Sequence, residues 1–355
     1  MRLPPLDSDA LECVAAILEE GSFHRAARAL SVTQSAVSQR LRALEEQIGT
    51  PLIVRTRPLK ATAAGEVVLK HAGQARLLRA NVERELRELA PGTQSADETQ
   101  RISIAVGADC IATWAMPALD ALVRRGLLLE VVSCDRNFTH ELLREGQVAG
   151  CVTTEKQAPR GCTVLPLGTM RYLLVAEPGY ADRYCPTGLT AHNFTKVTFV
   201  AANRGDDMPM DFVGQAFGLR QVGLRQSYLP GSEAQVRAIL SGWGAGVVPE
   251  LLAEAFLEQG RLVDLLPAFR LAIPLYWHCW QMESEVLAQL TSALREAALS
   301  RRPGSLPFPA GPPGRPALTP ANAPAHSPAT PSGDASPRHR SRWRATGGSA
   351  PAVRL

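Results

Sequence analysis

The sequence predicts an α/β multidomain fold, and three observations carry that expectation. Short helical patterns and a strand pair fill residues 1–62, a proline-free helical pattern runs over 63–90, and strands alternate with helices over 101–300. At 355 residues the chain has room for about two or three domains, each with its own core. Its 45% hydrophobic content suits a globular protein, and the longest apolar runs, Val197 to Ala202 and Gly244 to Pro249, are too short to cross a membrane. Acids in the opening MRLPPLDSDALECV interrupt the apolar segment an export signal needs, so a cytoplasmic protein with no membrane partner is expected. The seven cysteines are scattered, with no CxxC and no Cys/His pair at metal-ligand spacing, and read as reduced packing thiols.

Leu11, Val14, Ala15 and Leu18 form one face of a first helix, which Gly21 ends. Ser22 is placed to cap a second helix, Phe23 to Leu30. The third lies in SVTQSAVSQRLRALEE, residues 31–46. There Val37, Leu41, Leu44 and Ile48 follow at steps of four, three and four, turned toward a small core. Thr33 is its cap, and Gln34, Ser35, Ser38, Gln39 and Arg42 lie along its outward side, nearest the N-terminus. Glu45 and Glu46 sit near its other end. PLIVRTRPLKAT then reads as two short strands around a turn.

Over residues 63–90, Val68, Ala75, Leu78, Val82, Leu86 and Leu89 recur at steps of seven, three and four. A lone helix of this length cannot bury such a stripe, so pairing with a copy of itself is expected; packing against its own domain is the competing reading. PGTQSADETQ, residues 91–100, reads as a hinge. ISIAV, LEVV, GCVTT, YLLVA, VTFVA and AGVVP read as strands of one α/β domain or of its two lobes. Proline, glycine, serine and alanine dominate residues 301–355, which should be disordered.

The net charge of +4 conceals a division. The 301–355 tail carries eight Arg and one Asp, which leaves residues 1–300 at −3. Within that mildly acidic body, residues 21–62 hold seven bases against Glu45 and Glu46. This local asymmetry points to a polyanionic partner. A helix placed N-terminus first into a DNA major groove needs the side chains found at 34–42: Gln pairs with adenine, Arg forks onto guanine, and Ser reaches base edges or phosphate. Arg55 and Arg57 follow on the strand pair, placed for a flanking minor groove or the backbone. Ser22 and Thr33, at helix starts, complete the candidate contacts to double-stranded DNA. The plainer alternative is a solvated amphipathic helix.

SFHRAARALSVTQSAVSQRLRALEEQIGTPLIVRT, followed by KATAAGE, resembles the N-terminal winged helix-turn-helix of LysR-type transcriptional regulators. AVGADCIATWAMPAL, LGTMRYLLVA, GSEAQVRAI, GWGAGVVPE and LYWHCWQMES resemble the ArgP/LysG branch of that family, and the resemblance extends over residues 1–300. It implies that 101–300 is a periplasmic-binding-protein-like effector domain. Its two lobes would be joined by crossing strands near Met170 to Ala176 and Leu275 to Trp280. It also implies a homodimer or homotetramer built through the linker helix, RNA polymerase as a partner, and control of arginine and lysine export.

No cofactor is expected, only a small-molecule effector of the lysine or arginine kind. Its candidate contacts are Ala108, Asp109, Thr113, Trp114, Asp135, Thr153, Asp207, Ser232 and Glu233. A helix opening around Thr113 and Trp114 would offer N–H groups to a carboxylate, and Asp109 an acceptor for an ammonium group. Ser232, with Gln235 three residues on, fits a capping box better than a ligand contact. Asp206, Asp207 and Glu233 are the acids available to a cationic side chain, or merely a surface loop. Cys134 and Arg136 stand where the relatives carry acids, which disfavours a cationic ligand.

An enzyme is the rival class, but there is no Ser-His-Asp grouping, P-loop, strand-borne GxGxxG or metal cluster. His278 reads as a packed strand residue. The further alternative is a replication-origin or architectural DNA binder without effector control. The basic tail would be either a non-specific DNA arm or an inert extension.

Overall fold

The computed structural model describes residues 5–89, 101–133 and 139–300. The expected hinge at 91–100, the Cys134–Asp135–Arg136 segment and the 301–355 tail lie outside the described residues. Helices α1 (Ser8–Glu20), α2 (Phe23–Ala29) and α3 (Gln34–Ile48) form the first unit. Strands β1 (Ile53–Val54) and β2 (Lys60–Ala61) pair antiparallel as its wing. The expected apolar face of α1 is there, but Cys13, Ala16 and Ile17 are buried as well. The cause is a second neighbour: α2 and α3 cover one side of α1, and α4 (Ala63–Leu89) covers another.

Ser22 takes the N-cap position of α2, yet its side chain makes no cap hydrogen bond, so the expected capping role is not its own. Thr33 does cap α3, its Oγ1 accepting from Ala36 N at 3.2 Å. Between these helices Ser31 adopts φ 54°, a left-handed conformation costly for any residue with a Cβ, and Val32 N donates to Ala27 O at 2.9 Å to hold the turn.

Arg76 of α4 fastens the long helix to α1. Its Nε donates to both Glu12 oxygens at 2.9 and 2.8 Å, and its Nη1 pairs with Glu19 Oε1 at 2.6 Å. Burial works against the Arg76 charge, but the bonds to Glu12 and the charge of Glu19 outweigh it and hold its pKa above the ordinary value.

The second region begins with β3 (Arg101–Ala105), α5 (Ala108–Cys110), a π turn (Ile111–Ala115) and α6 (Met116–Val123). β4 (Leu128–Val132), α7 (Thr139–Arg144), β5 (Gly150–Thr153) and the long β6 (Cys162–Ala176) follow. After α8 (Pro178–Tyr184) come β7 (Thr198–Ala201), α9 (Met208–Phe217), β8 (Arg225–Tyr228) and α10 (Ser232–Leu240). The chain continues with β9 (Gly246–Pro249), α11 (Glu250–Glu258), β10 (Val263–Asp264), β11 (Leu271–Trp280) and α12 (Glu285–Leu299).

β6 and β11 pair antiparallel along their length. At one end β5, β3 and β4 extend that sheet, with β3 parallel to both of its neighbours. At the other end β9 and β10 pair with the last residues of β6. β7 and β8 make a separate parallel pair beside them. β6 and β11 therefore belong to both lobes, as the crossing strands expected near 170–176 and 275–280. Lobe one holds α5 to α7 and α12, and lobe two holds α8 to α11. Among the described residues, no helix is long and apolar enough to cross a membrane, and none of the six described cysteines forms a disulfide.

Truncating Arg76 leaves Glu12 and Glu19 facing each other across a half-buried gap. Arg76→Ala should lower stability by about 1–3 kcal/mol, read as a lower urea midpoint for the N-terminal unit; an unchanged midpoint would show that the network contributes nothing.

Candidate functional site

The first site is the outer edge of α3. Val37, Leu41 and Leu44 are at most 1% exposed, which fixes the rotation of the helix against α1 and α2. Gln34, Ser35, Gln39 and Arg42 are exposed in consequence, and Ser38 is half-buried on the same side. Thr33 Oγ1 and Ser35 Oγ are 2.9 Å apart. Arg40 behaves differently, turning back to pair with Asp9 at 3.1 Å. Glu45 is also internal, its Oε1 accepting from Leu52 N at 2.8 Å where the wing begins. These two charges are thus removed from the reading edge, and Arg42 keeps its guanidinium exposed. On the wing, Arg55 stacks over the Phe23 ring at 5.5 Å, which holds one basic side chain beside the start of α2. Arg57 is exposed at the wing tip, and Ser22, with no cap bond to make, sits half-buried close to Phe23.

The second site is a cleft of about 270 Å³ between the lobes. The helix that faces it opens at Ala108, five residues before the expected Thr113, with Gly107 as its N-cap. Asp109 lies in that first turn and receives two hydroxyls. Tyr172 Oη donates to Oδ2 at 2.8 Å, and Ser232 Oγ donates to Oδ1 at 2.5 Å. Asp109 belongs to lobe one, Ser232 to lobe two, and Tyr172 to the crossing strand β6. Three parts of the domain therefore meet at one carboxylate. Asn203, Gln235, Met208, Val247 and Leu275 line the rest.

Several expectations need correction. Ser232 does not build a capping box, because Gly231 holds the N-cap position of α10 and Ser232 is its first helical residue. The serine points into the cleft instead. Thr113 and Trp114 face away from the cleft, since the π turn rotates them toward α12; Thr113 Oγ1 donates to Asp109 O at 2.6 Å. Thr153 is buried in β5, its Oγ1 accepting from Glu155 N, and does not line the cleft. Asp207 and Glu233 are exposed and likewise outside the lining. Asp206 does line it, but its carboxylate accepts from Ala202 N at 2.9 Å and Met208 N at 3.1 Å, serving its own loop. Ala108 and Asp109 line the cleft, and Asp135 falls outside the described residues. Tyr172, Asn203 and Gln235 were missed. His278 is fully buried on β11, where burial lowers its pKa, as expected of a packed residue.

Residues 8–66 match the "Bacterial regulatory helix-turn-helix protein, lysR family", and residues 95–300 match the "LysR substrate binding domain". The chain belongs to the LysR family. It is 39% identical to the transcriptional regulator LysG of Mycobacterium tuberculosis over 309 residues, which cover 85% of this chain and 99% of that one. The crystal structure of ArgP from Mycobacterium tuberculosis superposes with a TM-score of 0.72 at 39% identity, covering 83% of this chain and 98% of that one. Full-length LysG from Corynebacterium glutamicum, solved with bound effector Arg, gives 0.63 at 35% identity, with 82% and 98% covered. The LysR-type fold expected from the sequence is therefore the one present. The chain is a DNA-binding transcriptional regulator of the LysG/ArgP type with an effector domain, and not an enzyme.

For the DNA edge, Arg42→Ala should cost about 1–3 kcal/mol of binding to a cognate duplex, whereas Arg55→Ala should weaken all duplexes alike and reduce the salt slope by about one. Titrations at several salt concentrations read both; Arg42→Ala binding as well as the wild type would remove that residue from the interface.

Proposed function

We propose that this regulator controls amino-acid export genes in response to a free amino acid of the lysine or arginine type. The observation that carries the effector reading is the carboxylate of Asp109, held at a helix start between two lobes by Tyr172 and Ser232. A zwitterion needs an acceptor for its ammonium group and N–H donors for its carboxylate; in this reading Asp109 would be the acceptor and the backbone at the start of α5 would meet the carboxylate. The arginine in the Corynebacterium glutamicum relative supports the same ligand class.

Dimers form through α4 and assemble further to tetramers. Leu78, Val82, Leu86 and Leu89 are 50–82% exposed, which supports the expected pairing of that stripe with a second copy. Val68 is the exception, buried in the core of its own N-terminal unit. Paired recognition helices then occupy successive major grooves, and lobe closure changes DNA bend and recruitment of RNA polymerase. A ligand shifts that arrangement only by the difference in its affinity for the two states. The architectural reading gives the cleft no ligand and the duplex no sequence preference.

Calorimetric titration of the full chain with L-lysine, L-arginine and a neutral amino acid tests the proposal, together with genome-wide mapping of bound DNA. Saturable binding is expected, weakened about tenfold or more by Asp109→Asn through loss of a charge-assisted bond. Failure of every amino acid to bind, or binding indifferent to Asp109→Asn, would remove the cleft from effector recognition.

A further inference from the structure

α4 presents a third stripe, used neither by the N-terminal core nor by the exposed apolar face. Lys70, Gly73, Leu77, Asn81 and Arg84 follow at steps of three, four, four and three, which puts them on one side of the helix. All five meet lobe one of the same chain. Lys70 Nζ donates to Arg160 O at 2.9 Å, and Asn81 Nδ2 donates to Glu283 O at 2.8 Å. Arg84 Nη1 pairs with Glu285 Oε2 at 2.9 Å. Leu77 is 4% exposed and belongs to the core of the effector domain.

The closest packing is at two glycines, one on each side of the seam. A Cβ at Gly73 would lie 2.5 Å from Cη2 of Trp280, so the bare helix backbone is the seat of that indole. On the facing side, a Cβ at Gly146 would lie 2.6 Å from Lys70 N, and Gly146 also has φ +76°, in the left-handed region. The helix backbone thus seats a side chain of lobe one at Gly73 and meets the backbone of lobe one at Gly146.

Trp280 ends β11, one of the two strands that cross between the lobes, and Leu275 on the same strand lines the cleft. Trp280 thus joins α4 to a strand that reaches the cleft, and a close-packed contact leaves little slack between the two. Between Gly73 and Leu77, Arg76 points the other way and fastens α4 to α1.

We propose that the 70–73–77–81–84 stripe docks lobe one onto the linker helix within each chain, and that Trp280 seated on Gly73 is the contact through which cleft and DNA-reading helix bias each other. The cleft's role as the effector site rests on the proposed function, but the coupling does not require the effector to be known. Coupling is reciprocal, so DNA can serve as the ligand whose effect on the cleft is measured.

The test is hydrogen exchange on the full chain, with and without a duplex recovered by mapping wild-type binding sites. The variants are Gly73→Ala, Arg84→Glu, and the charge swap Arg84→Glu with Glu285→Arg. Alanine favours helix over glycine, so losses in Gly73→Ala do not come from a weakened α4. In the wild type, duplex binding should change exchange over 107–113 and 230–235. In Gly73→Ala, exchange over 70–84 and 279–285 should rise about tenfold and the duplex effect on the cleft should vanish. Arg84→Glu should act in the same direction, and the swap should restore it. Wild-type cleft exchange indifferent to duplex overturns the proposal, as does Gly73→Ala that keeps wild-type exchange or keeps the duplex effect. L-lysine, L-arginine and the neutral amino acid, added in turn to the same samples, probe the effector reading separately: no response to any of them with intact duplex coupling refutes that reading and leaves the docking standing.

Discussion

One helix carries three loads. A 27-residue rod with about 3.6 residues per turn offers distinct faces to distinct neighbours, and α4 has a neighbour or a vacancy on each. Val68, Leu69 and Ala72 complete the N-terminal core, Lys70, Gly73, Leu77, Asn81 and Arg84 meet lobe one, and Leu78, Val82, Leu86 and Leu89 are exposed. The exposed edge of α3 has no fixed direction unless the first face holds. It has no fixed relation to the effector domain unless the second does. In the proposed dimer, the third face sets the spacing between two reading edges. Rotating α4 by one residue would disturb all three contacts together.

The effector cleft follows from a comparable economy of parts. Two strands cross between the lobes, and Tyr172 on one of them and Leu275 on the other both face the cleft. The carboxylate of Asp109 gathers one hydroxyl from a crossing strand and one from the far lobe. In the proposed reading, an ammonium group would meet a carboxylate that already joins the two lobes.

The sequence made the N-terminal unit legible because its signals are local. Val37, Leu41 and Leu44 at helical spacing, with Thr33 before them, dictate both the helix and the side that is left to solvent. Periodicity could not show that α1 is buried on more than one side, since that depends on α4 returning across it. It could not show the lobe-facing stripe of α4 either, because Lys70, Gly73, Asn81 and Arg84 carry no apolar signal. In the cleft, Asp109 was recognisable as an acid beside a helix start. The helix starts five residues before Thr113, and nothing local in the sequence marks the π turn that displaces Thr113 and Trp114. Tyr172 was missed because the face of a crossing strand depends on which lobe it has entered. Asp207 and Glu233 stand out in the sequence by charge alone, and burial shows that their neighbours Asp206 and Ser232 are the ones turned inward.

The central claim is that the exposed edge of α3 reads bases while its apolar edge fixes its rotation. Competition between a cognate duplex and a scrambled duplex of equal length, for the wild type and for Gln39→Ala with Arg42→Ala, tests it most directly. The account predicts a wild-type preference of about 10³-fold or more that collapses in the double variant, while scrambled binding persists. A wild-type ratio near one, or a double variant that keeps the full preference, would contradict it.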